Sequence, residues 1–233
     1  MLVDVVNGAD SWRASGTVVI VDVFRSSSAI TTALANGAEA VIPFPSIRDA
    51  IRFRNSARHR TGIILAGERR GITPRGFDCN ISPLDMTRER VQGKAVVYSS
   101  TNLTRILGKL QGRMRIIVGG FNNAKAVADY LRPNNTKVTV VACGSRHGPT
   151  IEDVTGAGAI VHHLHAEQLT DRALIALGLY RNPDWRAMIE KGRIAPLVRE
   201  LGFGKDIEFC LSTDTTTVVP GLVGKKIVVL SSS

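Results

Sequence analysis

A chain of 233 residues with 44% hydrophobic and 21% charged residues has the size and composition of one globular domain, which argues against disorder, a coiled coil or a collagen-like repeat. No window approaches the ~20 uninterrupted apolar residues of a membrane span, and residues 1–11 are polar where a signal peptide would be apolar, so we expect a cytoplasmic protein with no membrane partner. The net charge of +10 fits either a polyanion-binding surface or a site for a small, highly charged anion. Because the basic residues are scattered and aromatic residues make up only 5%, nucleic-acid binding is disfavoured.

Strands and helices alternate from residue 18 onward. The apolar, β-branched run at 18–23 is typical of a strand buried on both faces. Residues 26–36 then predict a helix, with serines at its start and Gly37 in the left-handed position after its end. The same pattern predicts strands at 40–44, 62–68, 95–99, 116–119 and 138–143, and helices at 47–58, 101–110, 123–131 and 152–165. After residue 170, helices are predicted at 171–180, 184–191 and 195–201, before a last strand at 226–230.

This alternation predicts the fold class. Parallel strands need crossover connections, and the helices that make them must cover the faces of the sheet. We therefore expect an α/β fold: a three-layer α/β/α sandwich around a largely parallel or mixed sheet, with a helical C-terminal part. The pattern predicts one domain over residues 1–233, with residues 170–205 as a helical cap within it.

Three cysteines, Cys79, Cys143 and Cys210, are an odd number without C-x-x-C spacing. They predict buried thiols rather than a disulfide framework or a thiolate zinc site.

The residues that follow the strands are the candidates for a site, because ligands of open parallel sheets lie beyond the carboxyl ends of the strands. Hydroxyl and amide groups at a helix start hold anions, arginines donate paired hydrogen bonds to phosphate, and carboxylates hold a hard divalent cation. Any single one of these residues could simply cap a helix, but four strand ends of the same character favour a site. In chain order, the four strand ends carry Asp22, Arg25, Ser26, Ser27 and Ser28; Glu68, Arg69 and Arg70; Ser99, Ser100, Thr101 and Asn102; and Gly144, Ser145, Arg146, Glu152 and Asp153.

Several known phosphoryl-transfer signatures are absent. The chain has no G-x-x-x-x-G-K-[ST] and no G-x-G-x-x-G, and no arginine stands six residues after any cysteine. Phe24 occupies the position where a haloacid-dehalogenase-type enzyme needs a second aspartate. The tripeptide Arg146-His147-Gly148 is similar to that of histidine phosphatases, but the later histidines follow on the very next predicted helix, so we disfavour His147 as a nucleophile.

Ordered blocks of sequence carry a family resemblance. They are residues 21–28 (VDVFRSSS) with 33–38 (ALANGA), Gly67-Glu68-Arg69, Gly76-Phe77-Asp78 with Ser82-Pro83, residues 100–104 (STNLT), Glu152-Asp153 with Ala157-Gly158, and Val219-Pro220. In this order they resemble the 2-phosphosulfolactate phosphatase (ComB-like) family. The chain departs from the family pattern at Leu103 and Asn80, where glycines are expected, and at Ile81, where an asparagine is expected.

The resemblance implies a magnesium-dependent phosphatase that hydrolyses 2-phospho-3-sulfolactate, or a related 2-hydroxy-acid phosphate, to 3-sulfolactate and phosphate, as in coenzyme M biosynthesis. Its partner would be a small anionic phosphate ester. The alternative is a non-catalytic anion- or nucleic-acid-binding protein on the same fold, which the net charge and the departures at Leu103 and Ile81 favour. A homodimer is one state compatible with a metabolic α/β enzyme of this size.

As a working assignment, the carboxylates hold Mg²⁺ or its waters, and the arginines, hydroxyls and amide hold the phosphate ester. The metal set is Asp22, Glu68, Glu152 and Asp153, and the substrate set is Arg25, Ser26, Ser27, Arg69, Ser100, Thr101 and Asn102. The catalytic set is Asp22, Glu152 and Asp78, with Asp78 orienting the attacking water. Direct attack by water and a covalent intermediate on Ser26 or Ser27 are both open at this stage.

Overall fold

The computed structural model describes residues 1–57, 60–133 and 135–231. Arg58, the predicted last residue of the second helix, lies outside the described residues. Strands β1 to β10 are Leu2–Asn7, Thr17–Val21, Ala40–Pro43, Ile63–Gly67, Ala95–Ser99, Ile116–Gly119, Lys137–Ala142, Gln168–Leu169, Pro220–Val223 and Lys226–Val229. Helices α1 to α10 are Ser26–Ala35, Ile47–Ser56, Arg88–Val91, Leu103–Leu110, Ala124–Leu131, Ile151–Leu164, Asp171–Arg181, Trp185–Glu190, Ile194–Glu200 and Gly204–Leu211.

All ten strands form one mixed sheet in the order β4-β5-β3-β10-β9-β6-β2-β7-β1-β8. Strand β2 is buried along its whole length and runs parallel to both of its neighbours, as its apolar run predicted. Because alternate residues of a strand face opposite sides, Val19 and Val21 pack in one core cluster with α5, α6 and α7, and Val18 and Ile20 pack in another with α1 and α4. Helices therefore cover both faces of the sheet, and the predicted α/β sandwich is confirmed.

The sheet contains two groups of parallel strands. Strands β4, β5 and β3 form one group, and β6, β2, β7, β1 and β8 form the other. The hairpin of β9 and β10 lies between them, antiparallel to its outer neighbours and joined to each by a single residue pair. The sequence predicted β10 but not β9, because Pro220 and Gly221 are poor strand formers. Gly221 is required here, since a Cβ at this position would lie 2.3 Å from the side chain of Leu230.

Strand β1 was not predicted from the sequence, in which residues 1–11 were described only as polar. Its residues Val3, Val5 and Val6 are buried, and the strand pairs in parallel with β7. The polar character of residues 1–11 comes partly from Asp4, which accepts hydrogen bonds from the Thr170 hydroxyl and from the Arg172 guanidinium. A carboxylate with such partners is compatible with a strand.

Helices α7, α8 and α9 occupy the stretch predicted to be a helical cap, and α10 follows them. Gly37 has a φ of +88° after α1, as predicted for a left-handed terminating residue. The three cysteines are free and buried, which confirms their prediction. Among the described residues, none of the helices has the length and apolar character that a membrane crossing requires.

Candidate active site

A cavity of about 590 Å³ lies where the carboxyl ends of β2, β4, β5 and β7 approach one another. Strands β2 and β7 belong to one parallel group and β4 and β5 to the other, so both halves of the sheet contribute to one site. Helix α9 and the residues after it form another wall. The predicted site residues that line the cavity are Asp22, Arg25, Ser26, Glu68, Arg69, Thr101 and Asn102.

Asp22 is the buried carboxylate that directly follows β2 and faces the cavity. The Ser26 hydroxyl donates to its Oδ2 at 2.8 Å, and the backbone N–H of Asp22 donates to the Ser27 Oγ at 2.9 Å. Burial raises the pKa of Asp22 to about 6; the hydrogen bond from Ser26 opposes this rise, and the negative charges of Glu68 and Glu152 add to it. A neighbouring cation would therefore stabilise the charged form of Asp22.

The serines at the start of α1 do not cap the helix. Arg25 occupies the N-cap position and makes no side-chain capping bond, whereas Ser26 and Ser27 bond to Asp22. Ser28 donates to the Asn122 Oδ1 at 2.5 Å. These hydroxyls therefore fix the conformation around Asp22, and of the three only Ser26 lines the cavity.

Two predicted metal ligands already use both carboxylate oxygens for backbone hydrogen bonds. Glu68 accepts from the N–H of Thr101 at 2.6 Å and of Gly71 at 2.9 Å. Asp153 accepts from the N–H of Val23 at 2.7 Å and of Gly144 at 2.8 Å. Each carboxylate ties together loops that follow different strands, so both residues build the walls of the site.

Glu152 lies in the first turn of α6 beside Asp153 and is buried. Burial raises the pKa of Glu152, and the Arg193 charge opposes the rise. Burial also raises the pKa of Asp153 well above its usual value, and the charges of Glu152 and Asp22 add to that effect. These carboxylates are close enough to repel one another, which a divalent cation would relieve.

The carboxylates fit the predicted magnesium ion in part. Within the portion of the chain that the structure describes, no group of three or more His, Cys, Asp or Glu side chains is arranged as a metal site. Magnesium usually takes only one or two protein carboxylates and completes its shell with water and substrate phosphate. Asp22 meets this need because it faces the cavity, and Glu152 is the second candidate because, unlike Glu68 and Asp153, it is not bonded through both oxygens to distant backbone N–H groups.

Arg25 is held from several sides. Its Nη1 donates to the Asp206 Oδ2 at 2.8 Å and its Nη2 to the Asn80 Oδ1 at 2.7 Å. The Ser82 hydroxyl donates to the other oxygen of Asp206, and the guanidinium lies 3.9 Å from the ring centre of Phe203. The charge of Arg25 is therefore balanced by a buried carboxylate, although the residue still lines the cavity.

In the part of the chain that the structure describes, Arg69 has no carboxylate among its hydrogen-bond partners. It donates to the backbone oxygens of Glu68 and Pro45, each at 2.7 Å, and to the Ser99 Oγ at 2.9 Å. Arg70, Arg146 and Arg193 also line the cavity. Because Asp206 balances the charge of Arg25, four arginines remain against the carboxylates of Asp22 and Glu68, and the resulting formal charge of +2 suits an anionic ligand.

Five predicted site residues are absent from the cavity wall: Ser27, Ser100, Asp78, Glu152 and Asp153. Ser27 and Ser100 are buried, and Ser100 bonds through its Oγ and its carbonyl oxygen to Thr104 within α4. Asp78 is exposed on a different part of the surface. It accepts two hydrogen bonds from Arg54 and one from the N–H of Leu65, so the structure does not bring it together with Asp22.

His147 lines the cavity from the turn after β7, beside Arg146, whose Nε donates to its Nε2. The later histidines His162 and His163 lie at the far end of α6, roughly 17 Å from its start at 1.5 Å per residue, and His165 directly follows the helix. No partner histidine for a phosphorylated His147 lies among them, which agrees with the sequence argument.

Comparison with known proteins identifies the family. A family model described as 2-phosphosulpholactate phosphatase matches residues 5–225. A relative from Thermotoga petrophila, named a probable 2-phosphosulfolactate phosphatase, is 36% identical over 224 residues, covering 95% of this chain and 96% of the relative. Relatives with the same name come from Pseudothermotoga lettingae, 38% identical over 208 residues and 88% of each chain, and from Clostridium botulinum, 34% identical over 239 residues, covering 99% of this chain and 100% of the relative.

The chain belongs to the 2-phosphosulfolactate phosphatase family. The predicted resemblance and the predicted class, a hydrolase of phosphoric monoesters, are confirmed by the family match and by the names of these relatives.

The departures from the family pattern have different consequences in the structure. Leu103 is fully buried in the core, and its backbone N–H bonds to Asp22, so its side chain does not alter the cavity. Asn80 bonds to Arg25 and to the loop residues Gly71 and Thr73. Ile81 lines the cavity, so this departure places an apolar side chain against the ligand space.

Sequence reasoning missed Asp206, Arg193 and Phe203, which come from the C-terminal helices. A signal for Asp206 was available, because it shares the buried face of α10 with Ile207 and Cys210. An acidic side chain on an apolar helix face needs a buried cationic partner. No local pattern distinguished Arg193 from the other scattered arginines.

Proposed function

We propose that this family member is a magnesium-dependent phosphatase that hydrolyses 2-phospho-3-sulfolactate, or a related 2-hydroxy-acid phosphate, in a pathway of the coenzyme M type. The observation that carries the proposal is the cavity wall with five arginines around Asp22. A substrate with phosphate, carboxylate and sulfonate groups is stabilised by several cations in one place, which a neutral ligand does not need.

The chain's own residues would divide the work between holding the phosphate and holding the rest of the substrate. Arg69 faces the cavity with its charge unpaired, and Thr101 and Asn102 add polar groups from the start of α4. Arg146 follows β7 and Arg193 precedes α9, and both line the cavity, so they would hold the acid groups. The phosphate would thus be fixed beside Asp22 before the P–O bond breaks.

Asp22, with Glu152 as the second carboxylate, would hold the magnesium ion. When bound, Mg²⁺ polarises the phosphoryl oxygens and offsets charge on the leaving alkoxide. Glu68 and Asp153 would keep the loops around Asp22 in place through their paired backbone hydrogen bonds. We also propose the cytoplasm as the compartment, which the free, buried state of the three cysteines supports.

The test is phosphate release from a panel of 2-hydroxy-acid phosphates, with Mg²⁺ and with EDTA, beside a salt-dependent nucleic-acid titration. We expect Mg²⁺-dependent release and no nucleic-acid binding at 150 mM salt. Salt-sensitive nucleic-acid binding without phosphate release would favour the non-catalytic alternative.

A further inference from the structure

The cavity has two walls of unlike chemistry. The first carries Asp22, Glu68 and Arg69 beyond the strands. The second is apolar and comes mainly from α9, which contributes Ile194, Leu197 and Val198, followed by Leu201 and Phe203. A ligand that fills this cavity therefore meets charge on one side and hydrocarbon on the other.

The apolar wall is a continuous helical stripe. The positions 194, 197, 198 and 201 are spaced by three and four residues, which places them on one face of a helix. Val198 is buried in the core, but Leu197 is 47% exposed. An exposed leucine inside a concave cavity is available for contact with an apolar part of a ligand.

The substrate named for the relatives has no apolar group that would match this wall. All three substituents of 2-phospho-3-sulfolactate are anionic, and its carbon skeleton has three atoms. A cavity of about 590 Å³ lies in the range that larger organic ligands fill. A fully anionic ligand bound at the arginines would leave Leu197 and Leu201 facing water.

We propose that this site takes phosphate monoesters of 2-hydroxy acids that carry an apolar side chain, with the phosphate near Arg69 and the side chain against Leu197 and Leu201. The inference rests on the proposed phosphatase function and names its substrate class. Arg193 directly precedes Ile194, the first residue of the apolar stripe, and donates to the Ser145 hydroxyl at 2.7 Å. A cation therefore lies at one end of the apolar wall and can hold the carboxylate of such a ligand.

The experiment compares two esters that differ only in the apolar group, 2-phospholactate with a methyl group and 2-phospho-4-methylpentanoate with an isobutyl group, with 2-phospho-3-sulfolactate as a third substrate. In the parent enzyme, kcat/KM should be about tenfold or more higher for the isobutyl ester than for the methyl ester, since one buried methylene changes kcat/KM about 10-fold or more.

The variant Leu197→Asn should bring the ratio of the two kcat/KM values close to one. The matched control is Leu174→Asn, because Leu174 on α7 is 52% exposed and is not part of the cavity wall; its ratio should equal that of the parent. Equal kcat/KM for the two esters in the parent, or an unchanged ratio in Leu197→Asn, would overturn the inference.

Direct binding separates failure of the inference from failure of the phosphatase function. If none of the three esters is hydrolysed, the proposed function fails. Calorimetric titration of the methyl and isobutyl esters then tests the apolar subsite by itself. Binding of the isobutyl ester about tenfold tighter, lost in Leu197→Asn, would support the apolar subsite. Equal dissociation constants for the two esters would overturn it.

Discussion

The buried ion pair between Arg25 and Asp206 makes the sharpest prediction about stability. The two side chains are 5% and 3% exposed and lie 2.8 Å apart, and Asp206 also accepts from Ser82. Replacing Asp206 by Ala leaves the guanidinium buried without a counter-charge, which costs about 3–5 kcal/mol of unfolding free energy. At about 2–4 °C per kcal/mol for a chain of this size, Tm should fall by roughly 10 °C.

Chemical unfolding followed by circular dichroism measures the change in unfolding free energy, with Asp129→Ala as the control. Asp129 pairs with Lys125 and Arg132 on the surface, and all three side chains are at least 40% exposed, so its loss should cost no more than about 1 kcal/mol. If Asp206→Ala is as mild as the control, Arg25 can turn into the cavity and become solvated, and our account of a locked guanidinium is wrong.

The remaining predictions concern three residues around the sheet ends. The folded-state pKa of Asp22, about 6, exceeds the ordinary value of 3.8, so in EDTA the contribution of Asp22 to the unfolding free energy is fully present below about pH 4 and falls by up to about 3 kcal/mol as pH rises through 6. Urea unfolding of Asp22→Asn should lack this fall, and the same pH profile in both proteins would contradict the assigned burial effect. Arg69→Lys keeps the charge but loses the planar donors, so kcat/KM for 2-phospho-3-sulfolactate should fall about 100-fold, and unchanged kinetics would remove Arg69 from the phosphate site. Asp78→Ala removes the bonds to Arg54 and Leu65 and should cost about 1 kcal/mol of stability with kcat nearly unchanged; lost turnover at an unchanged Tm would return Asp78 to the active site.

Sequence patterns predicted the parts of the fold and site that depend on local chain chemistry. Strand β2 and the polar residues after it, including Asp22 and Ser26, follow from an apolar run that ends in a polar turn, and the structure places them at a cavity as expected. Glu68 and Arg69 were found by the same rule at the end of β4. The rule works because carboxyl ends of parallel strands collect at one place.

The features that the sequence did not predict depend on contacts between distant parts of the chain. Asp78 lies in a stretch with a family motif, but its conformation is set by Arg54 from α2, which turns it toward the edge of the sheet. Asp206 and Arg193 enter the site only because the C-terminal helices fold back over the strand ends. Strand β9 depends on the close approach of Leu230 to Gly221. Strand propensities of single residues do not describe such a contact.

The central claim is that the cavity around Asp22 hydrolyses a phosphate ester with the help of magnesium. The most direct measurement is phosphate release from 2-phospho-3-sulfolactate at saturating Mg²⁺, comparing the parent with Asp22→Asn, while circular dichroism verifies that both are folded. We expect the parent to turn over and the variant to lose at least about 100-fold in kcat with no loss of Tm. A folded Asp22→Asn variant with near-normal turnover would contradict the account, because the reaction would then not depend on this carboxylate.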